Sequence, residues 1–150
     1  MRAFYDITQT IKNNLLLDDF CNTVNFGGID EVLLSKQDIY PYAHLILNGA
    51  TYEGSLLRFD VSVIAMDIVD ISNDKTTDIF IGNDNLQDVL NTQLAVLVRL
   101  LEVLRRGENA NTFKLDGTPS FEHFTDRFEH GVAGWTVTFD IVLPHGMTIC

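Results

Sequence analysis

Leu56-Leu57-Arg58-Phe59-Asp60-Val61-Ser62-Val63-Ile64-Ala65-Met66-Asp67-Ile68-Val69 alternates with a period of two. Leu57, Phe59, Val61, Val63 and Ala65 fall on one side; Arg58, Asp60 and Ser62 fall on the other. Side chains of an extended chain point to opposite faces in turn, so this stretch is a strand with one buried face. Its later opposite-face residues, Ile64 and Met66, are apolar, so the strand's end is expected to be covered on both sides. Upstream, Ala43, Leu45 and Leu47 alternate with His44, Ile46 and Asn48, giving a partner strand that ends around Asn48-Gly49. Residues 48–55 hold two glycines and can close an antiparallel hairpin. The clearest strand after these is near the end. Ala133, Trp135, Val137, Phe139, Ile141 and Leu143 point one way, Gly134, Thr136, Thr138 and Asp140 the other, and Pro144 stops it.

Two helices flank these strands. Phe4, Ile7, Ile11 and Leu15, with Leu16 beside the last, are spaced by threes and fours, so the chain opens with an amphipathic helix closing near Asp18-Asp19. A short β-like stretch from Phe20 to Phe26 follows, ended by Gly27-Gly28; residues 30–40 are mixed. The second helix follows Asn83-Asp84-Asn85, which offer N-caps, with Asp88 complementing the dipole. It runs to Arg105-Arg106, and Gly107 stops it. Thr112 to Leu115 then reads as a strand, Asp116-Gly117-Thr118-Pro119 as a turn, and Phe121, Phe124 and Phe128 as an extended stretch. Runs of strands and helices in this order give an α+β fold: one domain over residues 1–150, with a mostly antiparallel sheet packed against two helices.

The second helix is more apolar than one sheet contact requires. Leu86, Leu90, Leu94, Leu97, Leu101 and Leu104 make one stripe, and Val89, Val96, Leu100 and Val103 a second beside it. One stripe is expected on the sheet and the other on the first helix or on another copy of the chain. Residues 70–85 form a long polar loop with an apolar triplet, Ile79-Phe80-Ile81, in its middle. The triplet either folds back on its own core or clasps an adjacent subunit. The expected subunit interface is therefore Ile79, Phe80 and Ile81 with the surplus stripe Val89, Val96, Leu100 and Val103.

Composition narrows function further. The net charge is −11, from 21 acidic against 10 basic residues among 150. Adhesion to nucleic-acid phosphate needs the opposite sign, whereas a surface past which DNA slides does not. Cys21 and Cys150 lack metal or disulfide spacing, and His44, His123, His130 and His145 are scattered. The first residues carry no signal-peptide run, and no segment reaches the roughly 18 apolar residues of a membrane span; synthesis in the cytoplasm and no membrane partner are expected. No phosphate-binding glycine loop, HExxH or GxSxG occurs. Asp70, Asn73, Asp74, Asp78, Asn83 and Asp84 are calcium ligands in kind, but their spacing does not fit the calcium-binding loop. Asp126-Arg127 and Glu129-His130 would point to opposite faces of a strand, and His44 reads as a structural strand histidine. No catalytic residue, metal or cofactor is expected.

The order of elements, with Tyr40-Pro41-Tyr42-Ala43 leading into the hairpin and Ala133-Gly134-Trp135-Thr136-Val137-Thr138-Phe139 closing the chain, resembles the tail terminator (tail completion) proteins of tailed bacteriophages. Met66-Asp67-Ile68-Val69-Asp70-Ile71-Ser72, Asn91-Thr92-Gln93-Leu94-Ala95-Val96 and Met147-Thr148-Ile149-Cys150 also look like structural proteins of phages infecting Bacteroidetes. The resemblance covers nearly the whole chain as an outline and transfers no contact residue. It implies a homo-oligomeric ring, usually a hexamer, at the neck of the virion, assembled in the host cytoplasm. Its partners are then the tail tube protein and a head-side connector or stopper protein, with DNA passing through an acidic channel without specific binding. A twelvefold connector or neck ring of a short-tailed phage, and a small metal- or ligand-binding module built on the acidic loop, are the competing readings.

Overall fold

The computed structural model describes residues 2–29, 39–69, 80, 85–106, 112–127 and 131–148. Within them the order is α1 (Ala3–Leu16), β1 (Thr23–Phe26), β2 (Tyr42–Glu53), β3 (Leu56–Ile68), α2 (Leu86–Arg105), β4 (Lys114–Arg127) and β5 (Val132–Pro144). The strands form one sheet in the order β1-β2-β3-β5-β4. Only β1 and β2 run parallel; the other three pairings are antiparallel. The fold is α+β, as the alternation in β3 and β5 and the two helical periods require.

Both helices pack on the same face. Ile7, Ile11 and Leu15 of α1 and Val96, Leu97, Leu100 and Leu104 of α2 enter one core with Ala43, Leu45, Phe59, Val61, Val63, Val137, Phe139, Ile141 and Leu143. Arg99 ties the helices together by donating to the carbonyl of Asn14 at 2.9 Å, where α1 has unsatisfied carbonyl groups. On the opposite face, Tyr42, Ile64, Met66, Phe124 and Val132 form a second, smaller cluster. That is the two-sided burial expected from Ile64 and Met66. His44, fully buried, fastens the chain to this face. Its Nε2–H is shared between the carbonyls of Gly27 and Gly28, at 3.1 and 3.0 Å, and its Nδ1 accepts from the Tyr42 hydroxyl at 3.1 Å. With both ring nitrogens so engaged, His44 is a structural residue.

Three boundaries differ from the sequence reading, each for a physical reason. β2 does not stop at Asn48-Gly49. A bulge lies between Leu47 and Gly49, where the Asn48 amide donates to Asp60 and Ser62, so the strand continues to Glu53 and turns at Gly54. Asp116-Gly117-Thr118-Pro119 is likewise not a turn but a bulge inside the single strand β4, with Gly117 at φ 71°. A second register shift between Phe124 and Arg127 follows it. Phe121 and Phe124 stand three residues apart in the unbroken stretch between these shifts and so face opposite ways, Phe121 toward the main core and Phe124 toward the opposite cluster. The β-like stretch at residues 20–26 narrows to Thr23–Phe26. Most of the polar loop, with Ile79, Ile81 and the acidic calcium-type residues, lies outside the described residues, as do Phe128, Glu129, His130, Cys150 and the side chains of Asp126 and Arg127.

Gly134 fixes the spacing of the central strands. A Cβ there would sit 2.0 Å from the carbonyl oxygen of Ala65 and 2.8 Å from the Cα of Met66, both backbone atoms that cannot swing aside. Gly134→Ala is expected to cost about 3 kcal/mol, at the upper end for an overpacked site. Gly49→Ala, which meets nothing within 4 Å, should stay near wild type. Urea midpoints for the two variants check this; similar midpoints would refute the close-approach argument.

Candidate assembly interface

The second helix uses its apolar surface differently from the expectation. Val89, Val96 and Leu100, expected to face another copy, are all buried within the protomer. Val103 is half-buried. The buried face of α2 is Val89, Gln93, Val96, Leu97, Leu100 and Leu104. It therefore draws on both stripes, and its centre is the valine stripe with a glutamine in the middle. Leu86, Leu90, Leu94 and Leu101 are only half-buried, and Val98 next to them is exposed. The surplus surface exists, but it belongs to the other stripe. The protomer's own core covers Val89, Val96 and Leu100, so they are not open to a neighbouring copy.

Phe80 is the one member of the loop triplet among the described residues, and it is exposed. It lines a groove of about 380 Å³ with Leu86, Leu90, Leu94 and Trp135. The groove is built from both sides. Trp135 projects from the start of β5, donates its indole N–H to the Leu90 carbonyl at 2.8 Å, and packs against the His123 ring of β4. Phe80 and the leucine stripe thus meet in this groove.

A second apolar surface lies at the other side of the sheet, where sequence reasoning placed nothing. Six of the eleven large exposed hydrophobic residues described are Tyr5, Leu16, Leu17, Phe20, Phe26 and Ile29. Tyr5, Gln9, Lys12 and Leu16 recur at helical spacing along one side of α1. Between that side and β1 runs a groove of about 420 Å³, floored by Phe4, Val24 and Leu45. The Phe4 and Phe26 rings meet edge to face across it, with centroids 5.9 Å apart. The signal in the sequence was Tyr5 beside Phe4: two aromatic residues in adjacent helical positions cannot both enter one core.

The sheet face away from the helices carries the charge. Asp60 pairs directly with Asp140, and Asp140 with Asp116, so three carboxylates stand in one rank across β3, β5 and β4. Like charges directly opposed in a sheet destabilise it. Arg58 offsets them: it pairs with Asp116, reaches Glu53 at 2.7 Å and lies 3.7 Å from Asp140. Among the described residues, no group of His, Cys, Asp and Glu converges to hold a metal. Burial, then the charge of Asp18, pushes the Cys21 thiol up to about 11, which leaves it a protonated core residue.

No known protein family matches the sequence, and no curated protein matches it. No described helix is long and apolar enough to cross a membrane.

Two carboxylates should give stability opposite pH slopes. The hydrogen bond and charge of Arg58 hold Asp116 below the usual carboxylate range. Its contribution is therefore full at neutral pH and is lost as pH falls through the depressed native value. Arg58→Met should lower the melting temperature at pH 7, with the loss shrinking toward pH 3. Burial instead raises Asp67, against the weaker effect of the Ile68 N–H bound at 2.8 Å. Its contribution is full in acid and lost as pH rises through the raised value. Asp67→Asn, which keeps the acceptor, should raise the melting temperature at pH 7 by about 2 °C and add nothing at pH 3. Thermal melts at both pH values check the pair; parallel slopes would contradict the assignment.

Proposed function

We propose that this protein is a ring-forming structural subunit of the tailed-phage neck, a tail terminator that caps the tail tube and offers the surface on which the head docks. The observation that carries the reading is the acidic rank Asp60, Asp140 and Asp116 on the sheet face to which neither helix packs. Asp116 and Asp140 keep 41% and 42% of their side-chain surface in solvent, with Arg58 and Lys114 beside them. A face on which carboxylates outnumber the arginine and lysine beside them suits the lining of a channel through which DNA slides, because its net negative charge repels phosphate. The overall charge of −11 agrees with this. So does the order of elements, helix, hairpin, helix and closing strands.

The ring, six copies in this reading, would join the tail tube protein on one side and a head-side connector or stopper protein on the other. Apolar surface at both sides of the sheet supports self-association; among the described residues no group converges to hold a metal.

Negative-stain images of the purified protein, alone and added to tail tubes, test this. The expected result is a closed annulus with an open centre and tubes capped at one end. A chain that stays monomeric and leaves tubes uncapped would refute it.

A further inference from the structure

We infer that copies of this chain associate head to tail, the α1–β1 edge of one receiving the Phe80–α2 edge of the next. The inference rests on the ring reading and names the surfaces that would make the ring.

The two grooves are related by the sheet itself. Val24, which floors the first, pairs with Ala43; Ala43 pairs with Ala65; and Ala65 pairs with Trp135, which walls the second. Both grooves therefore lie on one rank of the helix-covered face, three strand spacings or about 14 Å apart at their floors. The helices extend this separation outward. Arg99 reaches α1 from one side of α2, while Leu90 and Leu94 lie on the opposite side of that helix. The first groove opens beside α1 and the second on the side of α2 turned from α1. A neighbour set beside the sheet in the same rank brings one kind of edge against the other.

The surfaces are unlike, which decides the type of contact. One is an aromatic ridge and groove between α1 and β1 (Phe4, Tyr5, Phe26); the other is an aliphatic stripe (Leu90, Leu94, Val98) ending in Phe80. Contact between unlike patches is heterologous, and heterologous contacts build rings or open chains rather than closed pairs. The area is of the right order. Tyr5, Leu16 and Phe26 leave 63%, 44% and 47% of their surfaces exposed. With about 150–250 Å² per aromatic side chain and somewhat less for leucine, this side of α1 and β1 presents on the order of 300 Å² of apolar surface. A standard interface covers about 800 Å² per partner, a little over half of it apolar, so this edge supplies roughly two-thirds of that apolar share.

The test is complementation between Tyr5→Asp and Val98→Asp, both at exposed positions, with thermal melts showing that each variant folds. By light scattering coupled to size exclusion, wild type should exceed the monomer mass as concentration rises. Each variant alone should remain monomeric, and an equimolar mixture should give a dimer and nothing larger, since only one intact pair of edges remains. A monomeric wild type, a monomeric mixture, or self-association of Val98→Asp through α1 edges would each overturn the inference. Annuli that survive both substitutions would sink these surfaces and leave the ring reading standing. Complementing variants with a wild type that forms only open chains would do the reverse.

Discussion

The ladder between β3 and β5 runs without a break from Leu56 opposite Pro144 to Ile68 opposite Val132, and everything else hangs from it. It places the core residues of both strands in register, so that Phe59, Val61 and Val63 stand beside Ile141, Phe139 and Val137 under the helices. A one-residue slip would turn all of them to the opposite face. Gly134 is the point where the ladder admits no side chain, because the carbonyl of Ala65 occupies the space. Irregularity is pushed outward to the neighbouring pairs, where β2 and β4 carry bulges. A regular centre with adjustable flanks lets the flanking strands carry surface features without disturbing the core.

The same ladder creates the electrostatic problem on the opposite face. Because register is dictated by the apolar side, Asp60 and Asp140 have no freedom to avoid each other. The bulge in β4 then ends beside Asp116, which completes the rank. Arg58 lies two residues before Asp60, and Lys114 two residues before Asp116, both on the same face as those carboxylates.

Legibility followed the periodicity. β3 and β5 alternate cleanly, and their buried faces were readable residue by residue, as was the face of α1 carrying Ile7, Ile11 and Leu15. The ends of β2 and the interruption in β4 were not. A glycine or an Asp-Gly pair reads as a turn, and only the partner strand decides whether the chain reverses or bulges. The two stripes of α2 were visible, but which of them met the sheet was not. Gln93 sits in the middle of the buried face, 1% exposed. A polar residue there makes the leucine stripe look like the core. The α1–β1 edge was missed because exposure of single aromatic residues carries no period; it emerges only when helix and strand are placed side by side.

The outward placement of the leucine stripe changes what the proposed assembly would require. A stripe on the inner face of α2 would have needed the helix to lift before a neighbour could bind. The half-buried leucines and Phe80 are instead already turned outward, and the α1 edge is open as well. Both surfaces sit on a rank whose floor is the sheet and whose spacing is set by backbone hydrogen bonds, the least deformable part of the molecule. Subunits joined through such surfaces inherit a fixed angle from one to the next. A closed ring of defined copy number depends on that angle, more than on the strength of any single contact.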